Sequence, residues 1–186
     1  MNNNEEILRK NVYLESERLL LRPFSLDDAE DMYAYASDPI VTKYLTWQPH
    51  INIAQTRKVL NDFFINKPGI YAIVLKQEQR CIGCIHIRID DRHDKASFGY
   101  VLNRDYWNHG YMTEALDQIL ELAFNKLKLN RVESTHYARN ERSGRVMQKA
   151  GMYYEGVGRQ EVKIKGTYYD VVHYAILRNE WVGDKH

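Results

Sequence analysis

The sequence predicts a mixed α/β (α+β) fold with about seven strands and four helices. Two observations predict it. The strand and helix patterns run in the order β-α-α-β-β-β-α-β-α-β-β. The middle of that order holds a strand–helix–strand unit, which calls for a parallel pair, beside a meander of three strands, which calls for antiparallel ones. No repeat, low-complexity tract or Pro/Gly-rich linker breaks the chain. Residues 1–186 therefore read as one domain, with about the first ten outside its ordered part.

The elements follow in order. Residues 12–24 are rich in Leu and predict a first strand. Ser25 then suits a helix cap, with Asp27 and Asp28 in the first turn. Leu26, Ala29, Met32, Tyr33 and Ala36 recur at helical spacing. That helix ends before Asp38-Pro39, because the residue before proline avoids the helical region. A second helix over about 54–65 carries Val59, Leu60, Phe63 and Phe64, and Pro68-Gly69 stops it. Strands are predicted over 70–76, 81–89 and 96–102, joined by polar turns. A helix over about 113–127 shows Leu116, Ile119, Leu120, Ala123, Phe124 and Leu127 on one face. A strand over 131–138, a helix over about 142–150 and two closing strands complete the chain. Lys165-Gly166 is the turn between the last two.

Composition excludes several functions. Apolar residues make up 44% and charged residues 27%, as in ordinary globular chains. A formal charge of +1 gives no basic surplus for a nucleic-acid partner. No apolar run is long enough to span a bilayer, so no membrane partner is expected. The N-terminus is polar and acidic and lacks the features of a signal peptide, so the expected location is cytoplasmic.

Cys81 and Cys84 form a C-x-x-C. Within a strand, residues three apart point to opposite faces, so these thiols should neither clamp a metal nor close a relaxed disulfide. No second Cys pair completes a zinc site, and no metal is expected. Two buried thiols are the simpler reading.

The chemistry centres on Gly110. Here a strand runs through a turn with one glycine into a convincing helix. A helix N-terminus presents unpaired N–H groups and the positive end of the dipole. Glycine there lets the backbone approach a ligand. Together these suit a phosphate. The Lys-Ser or Lys-Thr of a nucleotide P-loop is missing, and so is the dinucleotide G-x-G-x-x-G. Glu114 suits the helix start and weakly repels an anion.

The segment Trp107-Asn108-His109-Gly110-Tyr111-Met112-Thr113-Glu114-Ala115 resembles the acetyl-CoA motif of the GNAT superfamily of N-acetyltransferases, in the form found in its RimJ/RimL ribosomal-protein branch. The resemblance extends through Leu14-Glu15-Ser16-Glu17-Arg18-Leu19-Leu20-Leu21-Arg22-Pro23, Ile82-Gly83, Phe98-Gly99-Tyr100, Asn140-Glu141-Arg142-Ser143, Gly151-Met152, Gly166-Thr167-Tyr168-Tyr169-Asp170 and Asn179-Glu180-Trp181. Trp107 stands where the motif prefers Gln or Arg, and Met112 where it prefers Gly or Ala. Met112 fits only with its side chain turned from the phosphates.

This resemblance implies a mostly antiparallel sheet splayed in the middle, and acetyl-CoA as co-substrate. Pyrophosphate would lie on the backbone of Asn108, His109, Gly110, Tyr111, Met112 and Thr113. Pantetheine would pair with the backbone near Val101, Leu102 and Asn103. Asn140 is either a cofactor contact or a helix cap. Amine attack on a thioester needs a proton acceptor and stabilisation of the leaving thiolate. Many members use a Tyr for the thiolate, where this chain has Met147. Ser143 then becomes the hydroxyl for that task, or else a plain first-turn serine. A family Glu aligns with Ser97, which leaves His136 first among candidate bases, then Asp170 and Glu161. Water relays would remove the need for any base.

The implied partner is an amine acceptor, with the N-terminal α-amine of a ribosomal protein leading. Small amines and a non-catalytic acyl-CoA sensor are the alternatives. The clustered tyrosines Tyr153, Tyr154, Tyr168 and Tyr169 read mostly as core or rim residues. The oligomeric state stays open, a homodimer included.

Overall fold

A computed structural model describes residues 3–183. The strands are β1 Leu14–Glu15, β2 Leu19–Arg22, β3 Ile70–Leu75, β4 Arg80–Asp90, β5 Lys95–Leu102, β6 Arg131–Tyr137, β7 Tyr153–Ile164 and β8 Thr167–Leu177. The helices are α1 Asn3–Lys10, α2 Ala29–Ala36, α3 Ile53–Phe63, α4 Tyr111–Glu121 and α5 Glu141–Lys149. The strands form one sheet in the order β1-β2-β3-β4-β5-β6-β8-β7. Only β5 and β6 pair in parallel, and the other neighbours are antiparallel.

Two elements exceed the sequence expectation. The predicted first strand is two, because the chain turns back at Ser16–Arg18 and pairs Leu14 with Leu21. The polar start forms α1, held by ion pairs of Arg9 with Glu5 and Lys10 with Glu6, and it buries Leu8 in the core.

Each sheet face packs a different pair of helices. On one face, Ala115, Leu116, Ile119 and Leu120 of α4 and Met147 of α5 pack on Phe98, Leu102 and Val132. The other face joins Met32 and Tyr35 of α2 and Leu60 of α3 to Ala72, Val74, Cys81 and Cys84. The cap predicted at Ser25 forms a reciprocal box with Asp28 at the entry to α2. Past α4, the helix widens into a π turn over Leu122–Lys126, which buries Leu122 beside Ala123 and Phe124. Lys165 and Gly166 both take left-handed backbone angles, φ 49° and 83°, as the tight turn between β7 and β8 demands.

Cys81 and Cys84 do not lie on opposite faces. A bulge shifts the β3–β4 register, so that Val74 pairs with Cys81 while Ile73 pairs with Gly83. The extra residue, Ile82, turns both thiols toward α2. They are free and buried, and no group of potential metal ligands occurs among the described residues.

Candidate active site

Parallel pairing of β5 and β6 covers only Lys95 with Arg131, Ala96 with Val132 and Ser97 with Glu133. The Ser134 hydroxyl then donates to the Phe98 carbonyl at 2.8 Å. Beyond that link the strands part. A cleft of about 520 Å³ opens there, between the end of β5, the Gly110 turn, the start of α5 and the turn at Thr42–Tyr44.

The register fixes which backbone groups face the gap. Asn103 N–H donates to the Ile82 carbonyl at 2.8 Å. Hydrogen-bonded pairs alternate along antiparallel strands, so Val101 turns its backbone toward Cys84. Tyr100 and Leu102 turn theirs toward the gap. The Trp107 indole N–H donates to the Leu102 carbonyl at 2.9 Å. The groups left for an extended amide ligand are the N–H groups of Tyr100 and Leu102 and the carbonyl of Tyr100. Val101 and Leu102 line the cleft, but Asn103 does not. Its side chain instead accepts from Asp105 N–H at 3.1 Å and caps the next turn.

The Gly110 turn leads from left-handed backbone straight into a helix start. Gly110 has φ 82° and Asn108 φ 66°, and α4 begins at Tyr111. The first N–H groups of that helix have no partner within it. Asn108, Gly110, Tyr111, Met112 and Thr113 line the cleft, whereas His109 does not. The His109 ring stacks on Tyr111, and its carbonyl accepts from Arg18 at 3.0 Å. Met112 is 5% exposed and packs into the core, away from an anion.

Glu114 is also turned away from the turn. Its carboxylate accepts from Ser16 Oγ at 2.7 Å, Arg18 N–H at 2.9 Å and Arg18 Nε at 2.7 Å. Burial pushes the Glu114 carboxyl up, but these bonds outweigh it and hold it below its ordinary value. Arg18 also stacks on the Tyr111 ring at 4.6 Å. Sequence reading gave Arg18 no part in the site. Its signal was the motif around Leu14–Pro23, which lies far from the turn in the chain.

Cations were missed as well. Lys43, Arg139, Arg142, Arg145 and Lys149 line the cleft, against Glu141 as its one acidic lining residue. The whole-chain charge of +1 conceals this local excess. Arg142, Arg145 and Lys149 follow helical spacing on α5, which is the signal that could have found them. Arg142 lies 4.7 Å over the Trp107 ring. The backbone donors, helix N-terminus and cations together fit a ligand that joins phosphates to an amide-bearing arm.

Asn140 and Ser143 both line the cleft. The Asn140 amide donates to Ser143 Oγ at 3.0 Å rather than capping the backbone. Tyr100 donates its phenolic proton to the Ser143 carbonyl at 3.0 Å. Burial pushes that phenol up to about 12. Met147 is fully buried and contributes packing alone.

The structure does not bring His136 into the cleft. Strand alternation puts it on the helix face, where it stacks on Tyr174. Its Nδ1 lies 2.9 Å from the Tyr137 carbonyl, and a Cβ on Gly144 would lie 2.6 Å from its Nε2. Asp170 accepts from Gln160 N–H at 2.7 Å and lines a separate hollow with Arg139 and Tyr169. Glu161 pairs with His173 at 2.7 Å. Ser97 is exposed. Tyr153, Tyr154 and Tyr168 are about 60% exposed, which excludes a core position, and Tyr168 and Tyr169 line that same hollow.

A family model described as an acetyltransferase (GNAT) domain matches residues 18–153. The chain belongs to the GNAT acetyltransferase family. It is 33% identical over 175 residues to the uncharacterised N-acetyltransferase p20 of Bacillus licheniformis, covering 91% of this chain and 98% of that protein. The crystal structure of a GNAT-family acetyltransferase from Bacillus anthracis is 31% identical, with a TM-score of 0.83 over 90% of this chain and 99% of its own. Spermidine N-acetyltransferase from Vibrio cholerae, solved with CoA and spermine, shares the fold at 19% identity, with a TM-score of 0.75 over 90% of this chain and all of its own. This acetyltransferase therefore uses acetyl-CoA and transfers acetyl to an amine. No helix among the described residues is long and apolar enough to cross a membrane.

Proposed function

We propose that this acetyltransferase acts on the α-amine of a peptide or protein, with a ribosomal protein as the leading acceptor and the cytoplasm as its location. The charge of the acceptor side supports that reading most. There the Thr42–Tyr44 turn meets the β7–β8 hairpin, joined by Lys165 Nζ donating to the Thr42 carbonyl at 2.9 Å. Tyr44 lies beside Tyr137 and Tyr169, with ring centroids 6.4 Å and 6.3 Å apart. Lys43 lies over Tyr44, and Lys163 over Tyr168. An aromatic mouth rimmed by lysines admits a neutral amine on a chain and repels a polycation.

The chain's own groups divide the reaction between them. The Gly110 turn and the α5 cations hold phosphates, and the Tyr100 carbonyl and the Leu102 N–H align the amide arm. The Tyr100 N–H stabilises the developing oxyanion. Ser143 accepts from Asn140, so its own proton is free for the leaving sulfur. Acetyl-CoA supplies the activated acyl carbon.

Release of CoA thiol with a set of N-terminally varied peptides, against spermidine and free amino acids, tests the acceptor. At least one peptide should outpace spermidine by about tenfold, a difference of about 1.4 kcal/mol. Faster turnover of spermidine than of every peptide overturns the peptide reading.

A further inference from the structure

The open end of β5 is closed off at Leu102. Asn103 turns its N–H to Ile82, and the Leu102 carbonyl takes the Trp107 indole N–H at 2.9 Å. That bond fixes the indole, which is half-buried and packs on the core. Trp107 immediately precedes the Gly110 turn and lines the cleft beside Asn108. An indole has one donor and no acceptor. With its N–H spent on Leu102, it offers the cleft only its ring face.

Arg142 covers that face, with its guanidinium carbon 4.7 Å from the ring centroid. It sits in the first turn of α5, next to Ser143, whose carbonyl accepts from Tyr100. The stack therefore joins the two walls of the cleft where β5 ends. One wall is α5, and the other is the segment between β5 and α4. Arg145, three residues on, has Glu141 at 4.0 Å. Arg142 has no carboxylate partner among the described residues.

Stacking holds a guanidinium by its plane and leaves the N–H groups at its edge free. An exposed arginine loses side-chain freedom when it grips an anion, and the ring has already removed part of that freedom. Arg142 is also the α5 cation that touches the segment leading into the turn. Arg145 and Lys149 lie about one and two turns farther along the helix.

We propose that Trp107 is a positioning residue that holds Arg142 ready for the pyrophosphate of acetyl-CoA. The proposal rests on the reading above that the Gly110 turn holds the donor's phosphates. The turn supplies backbone N–H groups from one wall, and Arg142 supplies full positive charge from the other. Neither group alone spans the cleft.

Calorimetry with CoA, dephospho-CoA and pantetheine tests the assignment. Dephospho-CoA keeps the pyrophosphate and lacks the ribose phosphate, and pantetheine lacks both. Arg142→Ala should weaken CoA and dephospho-CoA equally, about tenfold, and leave pantetheine unchanged. Arg142→Lys keeps the charge without the plane and should recover only part of the loss. Trp107→Leu should weaken both nucleotides about fivefold. Arg142→Ala added to Trp107→Leu should then cost well under what it costs alone, because the two residues act as a unit. Trp107→Phe keeps a ring and should lose less than Trp107→Leu. It carries the same cycle if Trp107→Leu fails to fold, and Arg142 is exposed, so its variants should melt like the wild type.

Unchanged affinity in Arg142→Ala overturns the proposal. So does a loss seen with CoA and not with dephospho-CoA, which would put Arg142 on the ribose phosphate. An equal loss with pantetheine, or losses at Trp107 and Arg142 that simply multiply, also overturns it. Gly110→Ala serves as the reference. If it weakens dephospho-CoA while Arg142→Ala does not, the proposal fails alone. If Gly110→Ala leaves both nucleotides unaffected, the phosphate reading of the turn fails, and this proposal with it.

Discussion

The Asn140 amide donates to the Ser143 hydroxyl oxygen at 3.0 Å, which leaves the serine proton free to be given away. A first-turn serine acting only as a cap would bond its own helix backbone instead. Ser143→Ala should therefore lower kcat about 100-fold, the scale set by loss of one preorganised donor. The dissociation constant for acetyl-CoA, read by calorimetry, should barely move. A matching loss of affinity would make Ser143 a binding residue.

Gly110 holds φ at 82°, and a Cβ there would meet Arg18 Nη2 at 3.5 Å, an ordinary contact. Space is therefore not the obstacle to alanine, and the backbone angle is. Gly110→Ala should cost about 1 kcal/mol, or roughly 3 °C in Tm. Acetyl-CoA affinity should fall further than that if the turn relaxes away from its bound shape. A melt paired with calorimetry separates the two losses.

Glu114 joins α4 to the turn before β2 through Ser16 and Arg18. Its folded carboxyl lies below the ordinary 4.5, so the bonds stabilise the protein above that value and are lost as pH falls through the depressed one. Glu114→Gln should lower Tm at neutral pH, and the gap to wild type should close on acidification. Melts over a pH series give the comparison. A gap that widens in acid would reverse the sign and contradict the assignment.

Arg145 and Lys149 line the cleft from α5. Arg145→Ala should weaken acetyl-CoA binding about fivefold at low salt, equivalent to about 1 kcal/mol. The deficit should shrink as salt screens the wild-type contact. Equal deficits at all salt concentrations would point to lost packing.

His136 lies under α5, against Gly144 and Tyr174. His136→Gln should leave both limbs of the pH–rate profile in place. A lost limb would put the ring back in the chemistry.

The sequence made the scaffold legible where one period dominated. The apolar face of α4 and the glycine before it were readable together, since a helical stripe and its N-terminal turn are local. Met112 was readable by elimination: a long side chain beside a phosphate must turn inward, and it does. The bulge at Ile82 was not readable, because a single inserted residue leaves no mark on the alternation of Cys81–Ile89. That insertion sends both thiols to one face. His136 was misplaced because sequence gives strand parity but not which parity faces the ligand. Arg18 reaches the Gly110 turn because strand pairing and helix packing join segments far apart in the chain.

Backbone amide NMR during titration with acetyl-CoA tests the central claim most directly, that the splayed end of β5 and the Gly110 turn hold the donor. The amides of Tyr100, Leu102, Gly110, Tyr111, Met112 and Thr113 should shift together and saturably, while those of Val101 and Asn103, bonded to β4, should move less. Saturable shifts confined to other parts of the sheet, with the Gly110 turn unmoved, would contradict it.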